Sequence, residues 1–257
     1  MVTPVPFALP ADQLAGRVAV VTGASRGLGA GLAARFAEHG MDLALCARTE
    51  PTLPAGATGL TAAVDVTDAA AVDAFADRVV DEVGPVALWV NNAGVLQPIG
   101  PHRDHDPSEV DRALLVNVGG VANGTRAFTR VARADATAGS GRPVLVNVTS
   151  GAATSVYEGW SIYGACKAAV DHLTRTVAAE EPALACWAVA PGIVETGMQA
   201  LIRSQDAASF PAVERFRQIH ADGSANAPAW VADHLAGLVA GTWAPDDVVA
   251  RIPNEHG

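Results

Sequence analysis

Lys167 is the single lysine in a chain of 257 residues, and it follows Tyr163, one of only two tyrosines, by four positions. On a helix, residues i and i+4 share a face, with Cβ atoms roughly 5–6 Å apart. An isolated tyrosine, with a pKa of about 10, exchanges protons poorly near neutrality. A neighbouring ammonium favours the phenolate and lowers that pKa, so the pair suits proton exchange with a carbonyl or alcohol oxygen. The alternative is an ordinary Tyr–Lys pair on a helix surface. Tyr157 has no lysine four residues on and is no rival acid. Ser150 ends "VLVNVTS", thirteen residues before Tyr163. Its hydroxyl could donate to the same oxygen, although alone it reads as a turn residue.

A second chemistry lies near the N-terminus, where "TGASRGLG" (22–29) joins a β-branched run to a helical one. Gly23, Gly27 and Gly29 let the backbone turn sharply and approach a pyrophosphate. The helix behind them offers free N–H groups and the positive end of its dipole. The spacing is G-x-x-x-G-x-G, and in that position it points to a dinucleotide; by itself it also fits a packing turn. Sites for NAD often end the second strand with an acid on the adenosine ribose. Here that strand ends in Arg48, with Arg26 projecting from the glycine loop. Two arginines there suit a 2′-phosphate through charge-assisted, forked hydrogen bonds, so NADP(H) is the expected cofactor. The competing reading makes both arginines solvated surface charges.

Short β-branched runs at 17–23, 41–48, 60–66, 86–94, 142–150 and 183–192 alternate with helical stretches at 27–40, 68–84, about 108–136 and 162–181. Strands that lack strict polar alternation and are spaced by helices predict a parallel sheet covered on both faces. That is the doubly wound, Rossmann-type α/β architecture, expected here as one domain over 16–257 behind a flexible arm, 1–15. The polar stretch 193–230 breaks the rhythm after a strand's carboxyl end, where such sheets place ligands. It reads as a substrate lid or as a plain helical excursion.

At 50% hydrophobic and 17% charged, the chain can bury a sizeable core. A net charge of −10 with scattered arginines argues against a nucleic-acid surface. "MVTPVPFALPADQ" has no basic start and three prolines, unlike a signal peptide. No apolar run approaches the ~20 residues of a membrane helix. Cys46, Cys166 and Cys186 have no CxxC spacing and read as core residues in a reducing, cytoplasmic setting.

Taken together, "TGASRGLG", "NNAG" (91–94), Asn117, Ser150, "YGACK" (163–167) and "PGIVET" (191–196) resemble the short-chain dehydrogenase/reductases over about 16–250. The resemblance implies that Tyr163 is the general acid or base and that Lys167 lowers its pKa and binds the nicotinamide ribose. It implies that Ser150 bonds the substrate oxygen and that Asn117 anchors a water-linked proton path to Lys167. Gly23, Ser25, Arg26, Gly27, Leu28, Gly29 and Arg48 would hold the phosphates. Asp65, with Val66 beside it, would meet the adenine, and Asn91, Ala93 and Gly94 would line the adenosine and ribose and stabilise the central sheet as well. Pro191, Gly192, Ile193 and Thr196 would hold the nicotinamide. No metal is implied, and a homodimer or homotetramer is expected. Ala152, Tyr157, Trp160, Met198 and Gln199 flank these groups in sequence and are candidates for the substrate pocket. "GWSIYGACKAAVDHLTR" and "APGIVETGMQALIR" look like the sepiapterin and benzil (diketone) reductase branch. That implies an NADPH-dependent carbonyl reductase acting on an α-dicarbonyl. Pterin reduction, oxidative alcohol dehydrogenation and a non-catalytic NADP(H) sensor or scaffold are the alternatives. A pterin would need an acid in the tail, for which Asp246, Asp247 and Glu255 are the candidates.

Overall fold

A computed structural model describes residues 5–135 and 142–257. Residues 1–4 of the expected arm, and Ala136 at the expected end of the helical region 108–136, lie outside the described residues. Strands β1 (Val18–Thr22), β2 (Asp42–Ala47), β3 (Gly59–Ala63), β4 (Val86–Asn91), β5 (Val144–Val148), β6 (Ala185–Ala190) and β7 (Val249–Arg251) form one parallel sheet. Their order is β3-β2-β1-β4-β5-β6-β7. The order reverses between β1 and β4, which opens a crevice at the carboxyl ends of the central strands.

The apolar runs of the sequence become strands buried on both sides. Ala19 and Val21 of β1 face one core, whereas Val18 and Val20 face the other. Burying each such valine contributes roughly 1.5–3 kcal/mol. The first core is closed by α1 (Ala11–Leu14), α2 (Gly27–Glu38) and a helix near the C-terminus. The second is closed by α3 (Ala69–Glu82), whose Asp68 cap accepts from the Ala70 and Ala71 amides, and by the long helices that follow.

The expected helical region 108–136 is interrupted. Helix α4 (Pro107–Leu114), capped by Asp106, passes through a π turn at Leu115–Gly119 into α5 (Gly120–Asp135). Helix α6 (Ser161–Glu180) carries Tyr163 and Lys167. The stretch after β6 holds α7 (Gly197–Arg203) and α8 (Val213–Ala221), followed by the buried α9 (Pro228–Ala240).

The arm is docked rather than loose over its described part. Val5 and Leu9 pack on the first core, Leu14 is fully buried, and the Phe7 ring meets His234 edge-on at 5.2 Å. Pro6 and Pro10 precede the short helix α1 and do not prevent burial. Among the described residues no helix is long and apolar enough to cross a membrane. All three cysteines are free and buried.

Candidate active site

A cavity of about 910 Å³ opens at the carboxyl ends of the central strands and runs from the loop after β2 to β7. At one end, the turn after β1 meets the loop after β4. Gly23 has φ +67°, and a Cβ there would lie 2.8 Å from the Ala93 Cα. Only glycine fits that close crossing of two backbones. Ser25, Arg26, Gly27 and Leu28 line the cavity. Helix α2 starts at Gly27 with no side-chain cap, so its first amides are available to an anion. Gly29, expected to contact the cofactor, does not line the cavity. It abuts the Gly23 carbonyl and the Asn92 amide, where a Cβ would overlap, and so brings α2 close to the loop.

Arg26 and Arg48 line the same end, and neither makes a hydrogen bond or close ion pair among the described residues. Asp65 and Val66 lie beside them. Thr67 donates its backbone N–H (2.9 Å) and its hydroxyl (2.8 Å) to Asp65 Oδ1, which holds that carboxyl below its usual range. Free amides and two uncommitted guanidinium groups in an open cradle fit the phosphates of a nicotinamide dinucleotide.

Asn91 requires a correction as a cofactor residue, because it does not line the cavity; its side chain ties the central strands together, the second role expected of it. It accepts from Trp89 Nε1 at 2.8 Å, donates to Asn147 Oδ1 at 2.8 Å, and is buried. Asn92 takes the cavity position with Ala93 and Gly94. Its backbone N–H donates to Thr22 Oγ1 at 3.0 Å and its side-chain amide to the Thr22 carbonyl at 2.9 Å, which pins the two loops together.

The central wall carries Ser150, Tyr163 and Lys167. Ser150, beyond β5, hydrogen-bonds the Tyr163 phenol and accepts from the Ala152 N–H at 3.2 Å. Lys167 Nζ donates to the Val148 carbonyl at 2.8 Å and lies 5.7 Å from the centroid of the Tyr163 ring. The expectation that Lys167 lowers the Tyr163 pKa does not describe this geometry. Burial pushes the phenol up, and the Ser150 hydrogen bond offsets that only in part. It is Lys167 that burial depresses, to about 8. The ammonium faces a carbonyl and the edge of a ring face, and it makes no hydrogen bond to the phenol oxygen.

Asn117 sits on the π turn, fully buried and behind the wall rather than on it. It accepts from the Val95 N–H and donates to the Val95 carbonyl, both at 2.9 Å. A π turn widens the helix and is often found at functional sites; here it supports the Gly94–Val95 wall.

At the far end, Pro191, Gly192, Ile193 and Thr196 line the cavity, together with Ala152, Tyr157, Trp160, Met198 and Gln199. Trp160 stacks on Phe210 at 4.5 Å and meets Tyr163 edge-on at 5.7 Å. None of the candidate tail acids reaches the cavity. Asp247 faces Arg175 at 3.6 Å, and Glu255 accepts from the Ala227 N–H at 2.7 Å. Thr22, Asn92, Arg215, Asn226 and Arg251 were not singled out by sequence reasoning. Asn92 stood within "NNAG"; β7, only three residues long, gave no pattern to place Arg251.

Comparison with known proteins places the site in context. Residues 17–207 match the short chain dehydrogenase family model. A benzil reductase ((S)-benzoin forming) of Bacillus subtilis is 30% identical over 230 residues, covering 86% of this chain and 92% of its own length. A second, from Saccharomyces cerevisiae, is 32% identical over 241 residues, covering 87% and 90%. Two solved structures are similar throughout. A 3-ketoacyl-(acyl-carrier-protein) reductase from Brucella melitensis complexed with NADH has TM-score 0.76 at 28% identity, covering 93% of this chain and 96% of that one. A short chain dehydrogenase from Burkholderia cenocepacia in complex with NADP has TM-score 0.74 at 27% identity, covering 95% and 100%.

Proposed function

The chain belongs to the short-chain dehydrogenase family, and within it we propose an NADPH-dependent carbonyl reductase whose substrate is an α-dicarbonyl or a related bulky ketone. Membership makes it an oxidoreductase of CH–OH and C=O groups; the direction, cofactor and substrate are the proposal. The observation that carries it is the convergence of Ser150, Tyr163 and Lys167 on one wall of the cavity, beside the loop that can hold a dinucleotide.

A reduced nicotinamide held by the glycine turn, Arg26 and Arg48 would supply the hydride for the carbonyl carbon. Ser150 and Tyr163 hold the carbonyl oxygen, and the Tyr163 hydroxyl gives it a proton, so that the ketone becomes an alcohol and the tyrosinate is reprotonated from water. A phenol raised by burial is protonated at neutral pH, as an acid catalyst for reduction must be. Lys167, beside Gly94 and the Val148 carbonyl, is placed to bind the nicotinamide ribose and to stabilise the transient tyrosinate. The segment 193–230 closes over the substrate as a lid, a reading supported by Met198 and Phe216 on the cavity wall. A homodimer or homotetramer fits Leu114 and Leu115, which are exposed at 43% and 55% where α4 enters the π turn.

The relatives are named for benzil, and the aromatic cluster of Tyr157, Trp160, Phe210 and Phe216 suits such a ring-bearing substrate. NADPH oxidation with benzil is the direct test. Tyr163→Phe is expected to lower kcat by about 10²–10⁴-fold with little change in cofactor affinity; undiminished turnover would sink the mechanism. Arg48→Ala is expected to weaken NADPH binding about 10–100-fold and NADH binding far less, through loss of charge-assisted hydrogen bonds. Equal losses for both would contradict the 2′-phosphate assignment.

A further inference from the structure

The cavity inverts the charge of the chain. The whole sequence has 17 Lys and Arg against 27 Asp and Glu, yet the described cavity wall carries Arg26, Arg48, Lys167, Arg215 and Arg251 against the single acid Asp65. Arg26 and Arg48 answer to the cofactor and Lys167 to the catalytic wall. Arg215 and Arg251 remain.

Arg251 is the last residue of β7, in register with Ala190 of β6. Its guanidinium lies against Gly151, the neighbour of Ser150 in the chain: a Cβ built on Gly151 would stand 3.7 Å from both Nη1 and Nη2. Among the described residues it has no hydrogen-bond or ion-pair partner. Arg215 reaches the same end from α8, where its Nη1 donates to the Tyr157 hydroxyl at 3.2 Å. Strand β7 is five strand spacings from β2 in the sheet, or about 24 Å at ~4.8 Å each. The charge on Arg251 is thus remote from Arg48 and the 2′-phosphate it is proposed to hold. A planar guanidinium matches a carboxylate in a two-point hydrogen bond.

We propose that the substrate end of the cavity is a carboxylate-recognition site, with Arg251 as the anchoring cation and Arg215 as the supporting one. The favoured substrate is accordingly a 2-oxo acid with an aromatic or bulky apolar body. This inference rests on the carbonyl-reductase reading and narrows its substrate class. Reduction consumes the hydride of NADPH and the proton of Tyr163 and yields the 2-hydroxy acid with NADP⁺. The carboxylate lies on Arg251, its neighbouring carbonyl on Ser150 and Tyr163, and the apolar body on Trp160. The second oxygen function of an α-dicarbonyl is thereby an anion held by charge.

The test compares phenylglyoxylate with its uncharged methyl ester. The ratio of their kcat/KM values, acid over ester, is expected to fall about 10–100-fold in Arg251→Met. It should fall less in Arg215→Met and recover in part in Arg251→Lys. A ratio unchanged in Arg251→Met overturns the assignment. Calorimetric binding of mandelate to the enzyme with NADPH, a pair with no hydride acceptor, reads the same contact without turnover. Weakened mandelate binding in Arg251→Met supports the carboxylate site even if neither substrate is reduced, in which case the reductase reading is what fails. Equal mandelate affinity in the two proteins overturns the site whatever the turnover.

Discussion

Lys167 and Tyr163 are both buried, and that decides how the pair works. Desolvation disfavours whichever form is charged, so it raises a phenol and lowers an ammonium. In the ligand-free chain Tyr163 therefore stays a proton donor through neutral pH, and Lys167 titrates near 8. The ammonium is fully charged below that pH and neutral above it. For reduction, kcat/KM is expected to hold steady toward neutrality and to fall as pH rises through about 8. Lys167→Arg, whose guanidinium keeps its proton, should lose rate and should shift the falling limb upward. An unmoved limb in that variant would assign the titration to another group. An arginine could carry the charge at this position, but it is too broad to lie between the Val148 carbonyl and Gly94 in the way a compact ammonium does.

Helices hold the site by clamps far apart in sequence. Buried Asp233 of α9 accepts from Arg35 Nε at 2.7 Å and lies 2.7 Å from His39 Nε2, which locks α9 against α2, the helix that presents the phosphate loop. Burial works to raise the Asp233 pKa, but the hydrogen bonds from His39 and Arg35 outweigh it and hold the carboxyl below its ordinary value. Its folded pKa being lower than its unfolded one, the clamp stabilises fully above the ordinary carboxylate range. That contribution is lost as pH falls through the folded value, below about 3.9. Asp233→Asn is expected to cost about 2–4 kcal/mol near pH 7, toward the lower side of the range for a broken buried pair because Arg35 is partly solvated. Urea denaturation would measure it, and the gap between variant and parent should close at acid pH. An undiminished gap there would rule out the ionised clamp.

At the scale of the molecule, the two ends of the catalytic half are stitched by one buried residue. Asn226 donates to the Pro191 carbonyl at 2.9 Å, accepts from the Glu255 N–H at 2.8 Å, and donates its own N–H to the Ile193 carbonyl at 2.8 Å. It joins the end of β6, the segment carrying α7 and α8, and the C-terminal tail that follows Arg251. Leaving its partners unpaired costs about 1–3 kcal/mol. Asn226→Ala is accordingly expected to lower Tm by roughly 3–10 °C in a chain of this size and to raise KM for the cofactor several-fold. An unchanged Tm would show that the tail is held by other contacts. Glu255, a candidate substrate acid by sequence, serves this stitching instead, with its carboxylate on the Ala227 N–H.

The sequence alone determined the alternation of strand and helix and the doubly wound sheet, and it singled out the glycine turn after β1 and the Ser150/Tyr163/Lys167 set, which line one cavity. These features are local in origin: they follow from periodicity, from glycine spacing and from two residues one helical turn apart. What lay beyond it depends on groups brought together from distant parts of the chain. Asn91 and Asn92 are adjacent, and only the pleat of β4 and the crossing at Thr22 decide which of them faces the ligand. A three-residue strand such as β7 carries too little pattern to be seen, yet it delivers Arg251 to the substrate end. The docking of the arm through Phe7, the clamp at Asp233 and the π turn that buries Asn117 likewise exist only once the helices are packed. The direction of the two pKa shifts also belongs to the tertiary structure, because spacing fixes which charges are neighbours and burial fixes which form of each survives.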